Sequence, residues 1–450
     1  HNVPVLGTPE DLPAVLRRLA LRGVRPQRLI VTKQELNPDL VRRLLDIAEG
    51  NGMTLSRLPR LTEFHSDAAD RFDVRPVDVE DLLGRPQAVL DRPAMERLIA
   101  GKRVLITGAG GTIGSELSRQ VADLGPAQLI LADNSEYNLY AIDLEIRQLK
   151  PDQHRVMRLA DVRDRSQMSA VFDDCRPELV FHAAALKHVP IVESHPGEGV
   201  LTNVGGSQVV ADLCAAHAVD AMVLISTDKA VNPTSVMGAT KRIAESYCQA
   251  LDRKHADADT DHHCRFITVR FGNVLGSTGS VVPLFEKQLA RGGPLTVTDP
   301  NITRYFMTTR EAVELVLQAS AMGVDDRAAV GGIFVLDMGE PVRIVDLAEQ
   351  MIRLAGKRPH DDIEIVFTGL RPGEKLYEEL FHDTEATQPT SNSAIRLATP
   401  RTADPDALSR SIDELTSAAR TSDDVRCRAA LQSLVPEYIA GGAPSIVAAK

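Results

Sequence analysis

Cysteine is scarce and unpaired in this sequence: Cys175, Cys214, Cys248, Cys264 and Cys427 are the five in 450 residues, and no two form a C-x-x-C. An odd number at scattered spacing excludes a disulfide framework and points to reduced thiols. No run approaches eighteen apolar residues, and the N-terminus lacks the charged-then-apolar pattern of a secretory signal. The chain as it stands is therefore expected to be soluble and cytosolic. His1 stands where an initiator Met would, so a trimmed portion of a longer protein is expected. Positive charge is also short, with 51 Lys and Arg against 62 Asp and Glu and a formal net charge of -11. That balance argues against nucleic acid or an anionic membrane surface as the main partner, so a bound phosphate must be gripped locally. Metal-ligand spacing is missing too. The polar run Asp252–His263 gathers His255, Asp257, Asp259, Asp261, His262 and His263 next to Cys264, but it fits neither a calcium loop nor a paired zinc motif. It reads as a solvated surface loop.

With 43% hydrophobic residues, the chain can bury a full core over two or three domains. Residues 1 to 85 alternate strand and helix signals: Val3–Leu6, Pro9–Leu21, Arg28–Thr32, Pro38–Glu49 and Thr54–Leu58. This predicts a small βαβαβ layer. It carries no glycine fingerprint and is read as structural or regulatory. Residues 86–100 form a connector.

The next stretch carries a cofactor signature. Lys102–Thr107 is an apolar strand that runs through Gly108, Gly111, Thr112, Ile113 and Gly114 into a helix beginning near Ser115. Strand, glycine-rich turn and helix in immediate succession is the context a dinucleotide fingerprint needs. Glycines let the backbone approach a pyrophosphate, and the helix N-terminus supplies N–H groups and a positive dipole end. Strand Gln128–Ala132 then delivers Asp133, nineteen positions after Gly114, followed by Asn134. An aspartate there accepts from a ribose diol and favours NAD over NADP; a helix-capping role for Asp133 is the alternative. Arg155–Leu159 ends near Asp161 and Val162, where this fold meets an adenine ring. Leu179–His182 runs into Ala183, Ala184 and Ala185, small residues suited to lying against a cofactor. Lys187 and His188 follow near the sheet's switch point, and Asn203 opens the helix Thr202–His217. The fold class expected is α/β, a Rossmann-type doubly wound parallel sheet over residues 101–277. A smaller substrate domain over 278–403 and C-terminal helices and tail over 404–450 complete the expected order.

The chemistry is concentrated in Val223–Lys241. Val223, Leu224 and Ile225 suit a central parallel strand, and Ser226, Thr227, Asp228 and Lys229 follow at its C-terminal end, where open α/β sheets bind ligands. A hydroxyl, a carboxylate and an amine side by side suit proton transfer. Met237-Gly-Ala-Thr-Lys241 has the spacing of the Tyr-x-x-x-Lys pair of short-chain dehydrogenases, with Met in the tyrosine position. Met carries no exchangeable proton, so the site is either inactive or works through Asp228 and Lys229. Farther on, Arg304 and Arg371 are basic points able to clamp phosphate oxygens.

Taken together, Gly108–Gly114, Ala183–Pro190, Ser226–Ala230, Ser235–Arg242, Arg270–Ser277 and Arg371–Lys375 closely resemble extended short-chain dehydrogenases that modify nucleotide sugars. More narrowly, over about residues 100 to 400 the chain resembles the large membrane-associated UDP-N-acetylglucosamine 4,6-dehydratases of bacterial polysaccharide synthesis. That subfamily has Met at the tyrosine position. The resemblance implies an enzyme that oxidises sugar C4, eliminates water across C5 and C6 and returns the hydride to C6, with NAD as cofactor and a UDP-sugar as substrate. It implies Lys229 as the base at C5, its pKa lowered by desolvation and Lys241, and Asp228 as the acid at C6. Thr227 would bind the C4 hydroxyl and Lys241 the nicotinamide ribose, with Asn273, Arg304, Arg371 and Glu374 on the nucleotide and Lys187 and His188 nearby. A UDP-sugar 4-epimerase, a C5-inverting dehydratase and a non-enzymatic NAD-binding scaffold are the alternatives. A homo-oligomer is expected, and for a full-length protein a membrane anchor on the cytoplasmic side of the bacterial inner membrane.

Overall fold

A computed structural model describes residues 4–32, 38–58, 75–83, 88–257, 264–382, 385–399, 401 and 403–440. Two compact units emerge. The first comprises residues 1–86, 284–300 and 343–368. In it, helix α1 (Leu12–Leu21), strand β1 (Arg28–Val31), helix α2 (Pro38–Gly50), strand β2 (Thr54–Arg57) and the short β3 (Arg75–Pro76) follow one another. β1 and β2 are parallel, and β3 lies antiparallel on β2. Leu16, Val41, Leu44, Leu45, Met53 and Leu55 form the core, and Leu354 packs against it.

The strand expected at Val3–Leu6 does not form over residues 4–6; Val5 is 92% exposed. Pro4 lacks a backbone donor, and Gly7 and Pro9 interrupt the run before it can pair. The polar run Asp252–His263 falls on the described residues only as far as Asp257, and 258–263 and the tail 441–450 lie outside them. Among the described residues no helix is long and apolar enough to cross a membrane.

The second unit comprises residues 87–283, 301–342 and 369–450, so the segment 278–403 is divided between the two. Its centre is a nine-stranded sheet built from β4 (Arg103–Thr107), β5 (Gln128–Asp133), β6 (Arg155–Leu159), β7 (Leu179–His182), β8 (Ala221–Thr227), β9 (Arg265–Phe271), β10 (Ile333–Leu336), β11 (Ala386–Pro389) and β12 (Ile395–Thr399). The order is β11-β12-β10-β9-β8-β7-β4-β5-β6. From β10 to β6 every pair is parallel, while β12 and β11 turn antiparallel at the edge. This is the Rossmann-like doubly wound arrangement anticipated from the sequence.

Residues along β4 alternate between two cores: Leu105 joins the cluster on one face, Val104 and Ile106 the cluster on the other. Helices cover both faces, which is why the strands read as continuous apolar runs rather than as alternating ones. The helix-like stretch Pro93–Ile99 of the expected connector forms a helix over residues 92–99 that seats Met95, Leu98 and Ile99 in one of these cores. The strand order reverses between β4 and β7, and a crevice opens beyond their C-terminal ends.

Five helices surround the site. α3 (Thr112–Asp123) follows the glycine turn and α4 (Glu136–Leu149) follows β5. α5 (Val236–Ala256) follows the loop after β8, with the Ser235 hydroxyl accepting from the Gly238 N–H at 3.1 Å as its cap. α5 is buried nearly all round, including Lys241, Arg242 and Glu245. Its outer side is covered by α6 (Pro405–Arg420) and α7 (Asp424–Leu434), which contribute Ile412, Leu415, Cys427 and Leu431 to the same core as Met237, Ile243 and Tyr247.

Candidate active site

The glycine turn is shaped for close backbone approach. Gly108 has φ +66°, and a Cβ there would lie 2.7 Å from the Ala184 backbone; a Cβ on Gly114 would lie 1.9 Å from the Gly108 carbonyl oxygen. The tips of β4 and β7 thus nearly touch, which explains the small residues at 183 and 184. Gly111 is the residue before α3, so the helix starts at Thr112, three positions earlier than expected. The N–H groups of a helix's first turn have no intrahelical acceptor and point to the crevice side of the turn. Asp133 is buried at the end of β5, and its carboxylate accepts from Gly110 N–H at 2.9 Å and from Ser135 N–H at 2.9 Å. It braces the turn, and the cap of α4 is Ser135, not Asp133. Asp161 pairs with Arg163 at 2.6 Å. Burial pushes the Asp161 carboxyl up, but hydrogen bonds from Arg163 outweigh it and the net shift is down. Val162 is buried beside Gly206, and Asn134, Ala185 and Lys187 are exposed.

Between β7 and α5, buried polar groups fix the loop after β7. His182 bridges the hydroxyls of Thr107 (2.7 Å) and Ser207 (3.0 Å). Burial and the charge of Lys241 hold it neutral, its pKa lowered to about 3. Asn203 lies in a seven-residue π-helix, Val200–Gly206. Its amide accepts from Leu186 N–H and donates to Leu186 C=O and to the Thr240 hydroxyl, tying loop 183–187 to α5. π-turns of this kind recur at functional sites. His188, with its pKa lowered by burial and by Lys187, packs against Gly279, where a Cβ would meet its ring at 2.5 Å.

At the tip of β8, Thr227 donates its hydroxyl to Asp228 Oδ1 at 2.9 Å. Lys229 Nζ donates to the same oxygen at 2.9 Å and to Asn273 Oδ1 at 2.8 Å. Asn273 is brought there by the short strand Asn273–Val274, paired with Phe306–Met307 just past β9. Asp228 is fully buried and its Oδ2 has no hydrogen-bond partner. Lys229 also lies 3.6 Å from Glu378 Oε1, and Glu378 lies 3.8 Å from Arg304 Nε.

Here the structure corrects the expectation of a lowered Lys229 pKa. Burial pulls the amine down, but the carboxylates of Asp228 and Glu378 outweigh both that pull and the opposing charge of Arg304, and the net is upward. Lys241 instead donates to the Ile225 carbonyl at 2.7 Å, and burial, against the opposing pull of Glu245, lowers its pKa to about 8. Met237 is buried in the core among Val236, Ile243 and Tyr247 rather than presented as a polar group. Tyr305 sits close by, but burial and the charges of Glu340 and Asp228 raise its phenol, which makes it a poor proton acceptor.

A cleft adjoins this cluster, lined by Lys229, Arg304, Arg371, Glu374 and Glu378 among others. Arg304 is buried and donates to the Thr303 and Leu376 carbonyls, with Glu374 at 3.5 Å. Arg371 is exposed at the lip, and Glu374 caps its N–H at 3.1 Å. The loop 371–375 is locked onto the catalytic loop: Thr234 donates to Gly373 C=O, Lys375 to Val231 C=O, and Asn232 to Glu379. Beneath it, Arg270 and Glu245 form a fully buried two-bond pair (3.1 and 2.8 Å), with Ser226 donating to Glu245 at 2.7 Å. From the other side, Arg428 holds Glu193, which accepts from the Val236 N–H, and Ile439 N–H donates to Pro233 C=O.

Sequence reading missed Glu378 and the Glu193–Arg428 brace. The spacing Glu374-x-x-x-Glu378 beside Lys375 was the available signal for the first. The second joins residues 235 positions apart and left no local trace.

Comparison with known proteins places this geometry. A family model described as polysaccharide biosynthesis protein matches residues 104–400. The capsular polysaccharide biosynthesis protein CapD of Staphylococcus aureus is 43% identical over 386 residues, 86% of this chain and 62% of that protein. A UDP-N-acetylglucosamine 4,6-dehydratase (inverting) of Campylobacter jejuni is 34% identical over 280 residues, 62% of this chain and 77% of that one. The solved structure of Pen from Bacillus thuringiensis is 32% identical with a TM-score of 0.59, covering 67% of this chain and 89% of that one. The chain thus spans about three fifths of the CapD protein. A glycine cradle, a Thr-Asp-Lys cluster at the tip of β8 and a basic cleft above them, matched from residue 104 to 400, make this chain a member of the polysaccharide biosynthesis protein family.

Proposed function

We propose that the chain is an NAD-dependent 4,6-dehydratase of a UDP-N-acetylhexosamine, with UDP-N-acetylglucosamine as substrate. The observation that carries this reading is the Thr227–Asp228–Lys229–Asn273 cluster at the tip of β8, whose Lys229 lines a cleft that also presents Arg304 and Arg371. The residues suit NAD: the cradle at Gly108 and Gly114 leaves no room for a Cβ, and Asp133 with no cation between it and Ile146 favours a free ribose diol. When bound, NAD supplies the hydride acceptor and donor. Lys241 would hold its ribose, Gly111–Gly114 its pyrophosphate, and Asp161 and Val162 its adenine.

Proton bookkeeping then falls to two side chains. Asp228 takes the C4 hydroxyl proton and later delivers it to the departing C6 hydroxyl, so it ends as it began. Lys229, as the neutral amine, takes the C5 proton, which exchanges with solvent on the ammonium, and a solvent-derived proton is then delivered back to C5. The sum removes one water and changes neither residue. Thr227 and Asn273 keep the pair aligned by their hydrogen bonds to Asp228 and Lys229, and Arg304 and Arg371 supply the charge that a diphosphate requires.

The test is incubation of purified protein with UDP-N-acetylglucosamine in D2O. Loss of one water with a single solvent deuteron at C5, without NADH accumulation, is the expected result. An unchanged mass refutes it; conversion to the galacto isomer identifies an epimerase instead, and NMR of a dehydrated product assigns C5.

A further inference from the structure

Lys229 has three N–H donors and meets three acceptors: Asp228 Oδ1 at 2.9 Å, Asn273 Oδ1 at 2.8 Å and Glu378 Oε1 at 3.6 Å. An amine surrounded this way is held as the ammonium, whereas a base at C5 must first give up a proton. Glu378 differs from the other two groups in that it comes from the segment after loop 371–375 and lines the cleft. Its side chain is 4% exposed and, like Asp228 Oδ2, its Oε2 is buried without a hydrogen-bond partner. A carboxylate with one oxygen near an ammonium and the other unsatisfied at a ligand cleft is unlike a settled ion pair, because buried polar atoms are nearly always partnered. Arg304, 3.8 Å from the same oxygen, balances part of its charge.

We propose that Glu378 is a positioning residue of the reaction: it completes the three-fold cradle of Lys229 and keeps the proton there until substrate fills the cleft. This rests on the dehydratase reading for its chemistry. The charged groups acting on Lys229 are Asp228 at 2.9 Å, Glu378 at 3.6 Å and Arg304, itself 3.8 Å from Glu378. Of these, Glu378 is the carboxylate outside the Thr-Asp-Lys motif, and so the one through which the cleft can act on the amine. Removing its charge makes the neutral amine available at lower pH.

The experiment follows the neutral amine of Lys229 directly, by its acetylation with acetic anhydride against pH, read by peptide mass spectrometry, alongside the pH profile of kcat/KM. In Glu378→Gln the labelling midpoint and the rising limb of kcat/KM should both move down by about one pH unit or more, the range expected of one adjacent opposite charge. Glu378→Asp, which withdraws the charge by one methylene, should give an intermediate midpoint. Glu374→Gln, which touches Arg304 but not Lys229, should raise KM and leave the midpoint in place. A midpoint unmoved in both Glu378 variants overturns the proposal. If wild-type protein yields no dehydrated sugar while the midpoint still moves, the dehydratase reading falls and the control of Lys229 by Glu378 stands.

Discussion

Glu245→Gln is the sharpest test of what holds the tip of β8 in place. The Glu245 carboxylate lies fully buried between Arg270 and Arg242 and accepts from Ser226, the residue just before Thr227. Burial pushes its carboxyl up, but the charge and hydrogen bonds of Arg270 prevail and the net is down. Gln keeps the shape and one acceptor while leaving two buried guanidinium groups short of a counter-charge. Glu385 still faces Arg270 at 3.1 Å and Glu437 faces Arg242 at 3.2 Å, so the loss belongs at the lower end of the roughly 3–5 kcal/mol for a broken buried pair. In urea, with a slope of about 1–3 kcal/mol/M, that lowers the unfolding midpoint by about 1 M or more. Because the folded pKa lies below the ordinary 4.5, the wild-type contribution is complete above that pH and fades as pH falls through the folded value. The variant should lack this acid-side loss. In a cycle with Arg270→Met, the double variant should lose less than the sum of the singles by about 1–3 kcal/mol. A single-variant cost below about 1 kcal/mol, or strict additivity, would refute the reasoning.

Two further outcomes are expected. Gly114→Ala sets a Cβ 1.9 Å from the Gly108 carbonyl, a backbone collision that must reshape the cradle, so NAD affinity by calorimetry should fall at least about tenfold while the urea midpoint of the fold changes less. His182, with its pKa lowered to about 3, stays neutral in the folded chain while the unfolded chain takes up a proton below pH 6.5. Its share of stability is therefore lost as pH falls from 6.5 toward 3, and His182→Gln should flatten urea midpoints across that window; an unchanged slope would count against it.

What could be read in the sequence was local. Gly108–Gly114 sit between an apolar strand and a helix, and a turn with φ above zero needs glycine whatever surrounds it, so the cradle was legible. Likewise Val223–Ile225 could only be a buried strand, and the polar residues after it had to stand at its tip. The failures came from contacts distant in sequence. Lys229 was expected to lose its proton easily because Glu378, 149 positions away, was not in view. The third strand of the first unit is Arg75–Pro76, at the end of a long connection, where Val3–Leu6 had the better local composition. Residues after 404 gave no functional signal because their polar contacts, Arg428 to Glu193 and Ile439 to Pro233, acquire meaning only once the loop at 231–236 is folded against them.

That last brace sets an order of assembly during synthesis. The Pro233 carbonyl leaves the ribosome roughly two hundred residues before its donor Ile439, a delay of about 10–40 s at 5–20 residues per second. The glycine cradle and the inner parallel strands are complete long before then, whereas the loop carrying Asp228 and Lys229 acquires its last restraint only when the final helices have docked. In the order of synthesis, then, the restraint on the loop at 231–236 is the last to arrive, and the segment that supplies it is the C-terminal one.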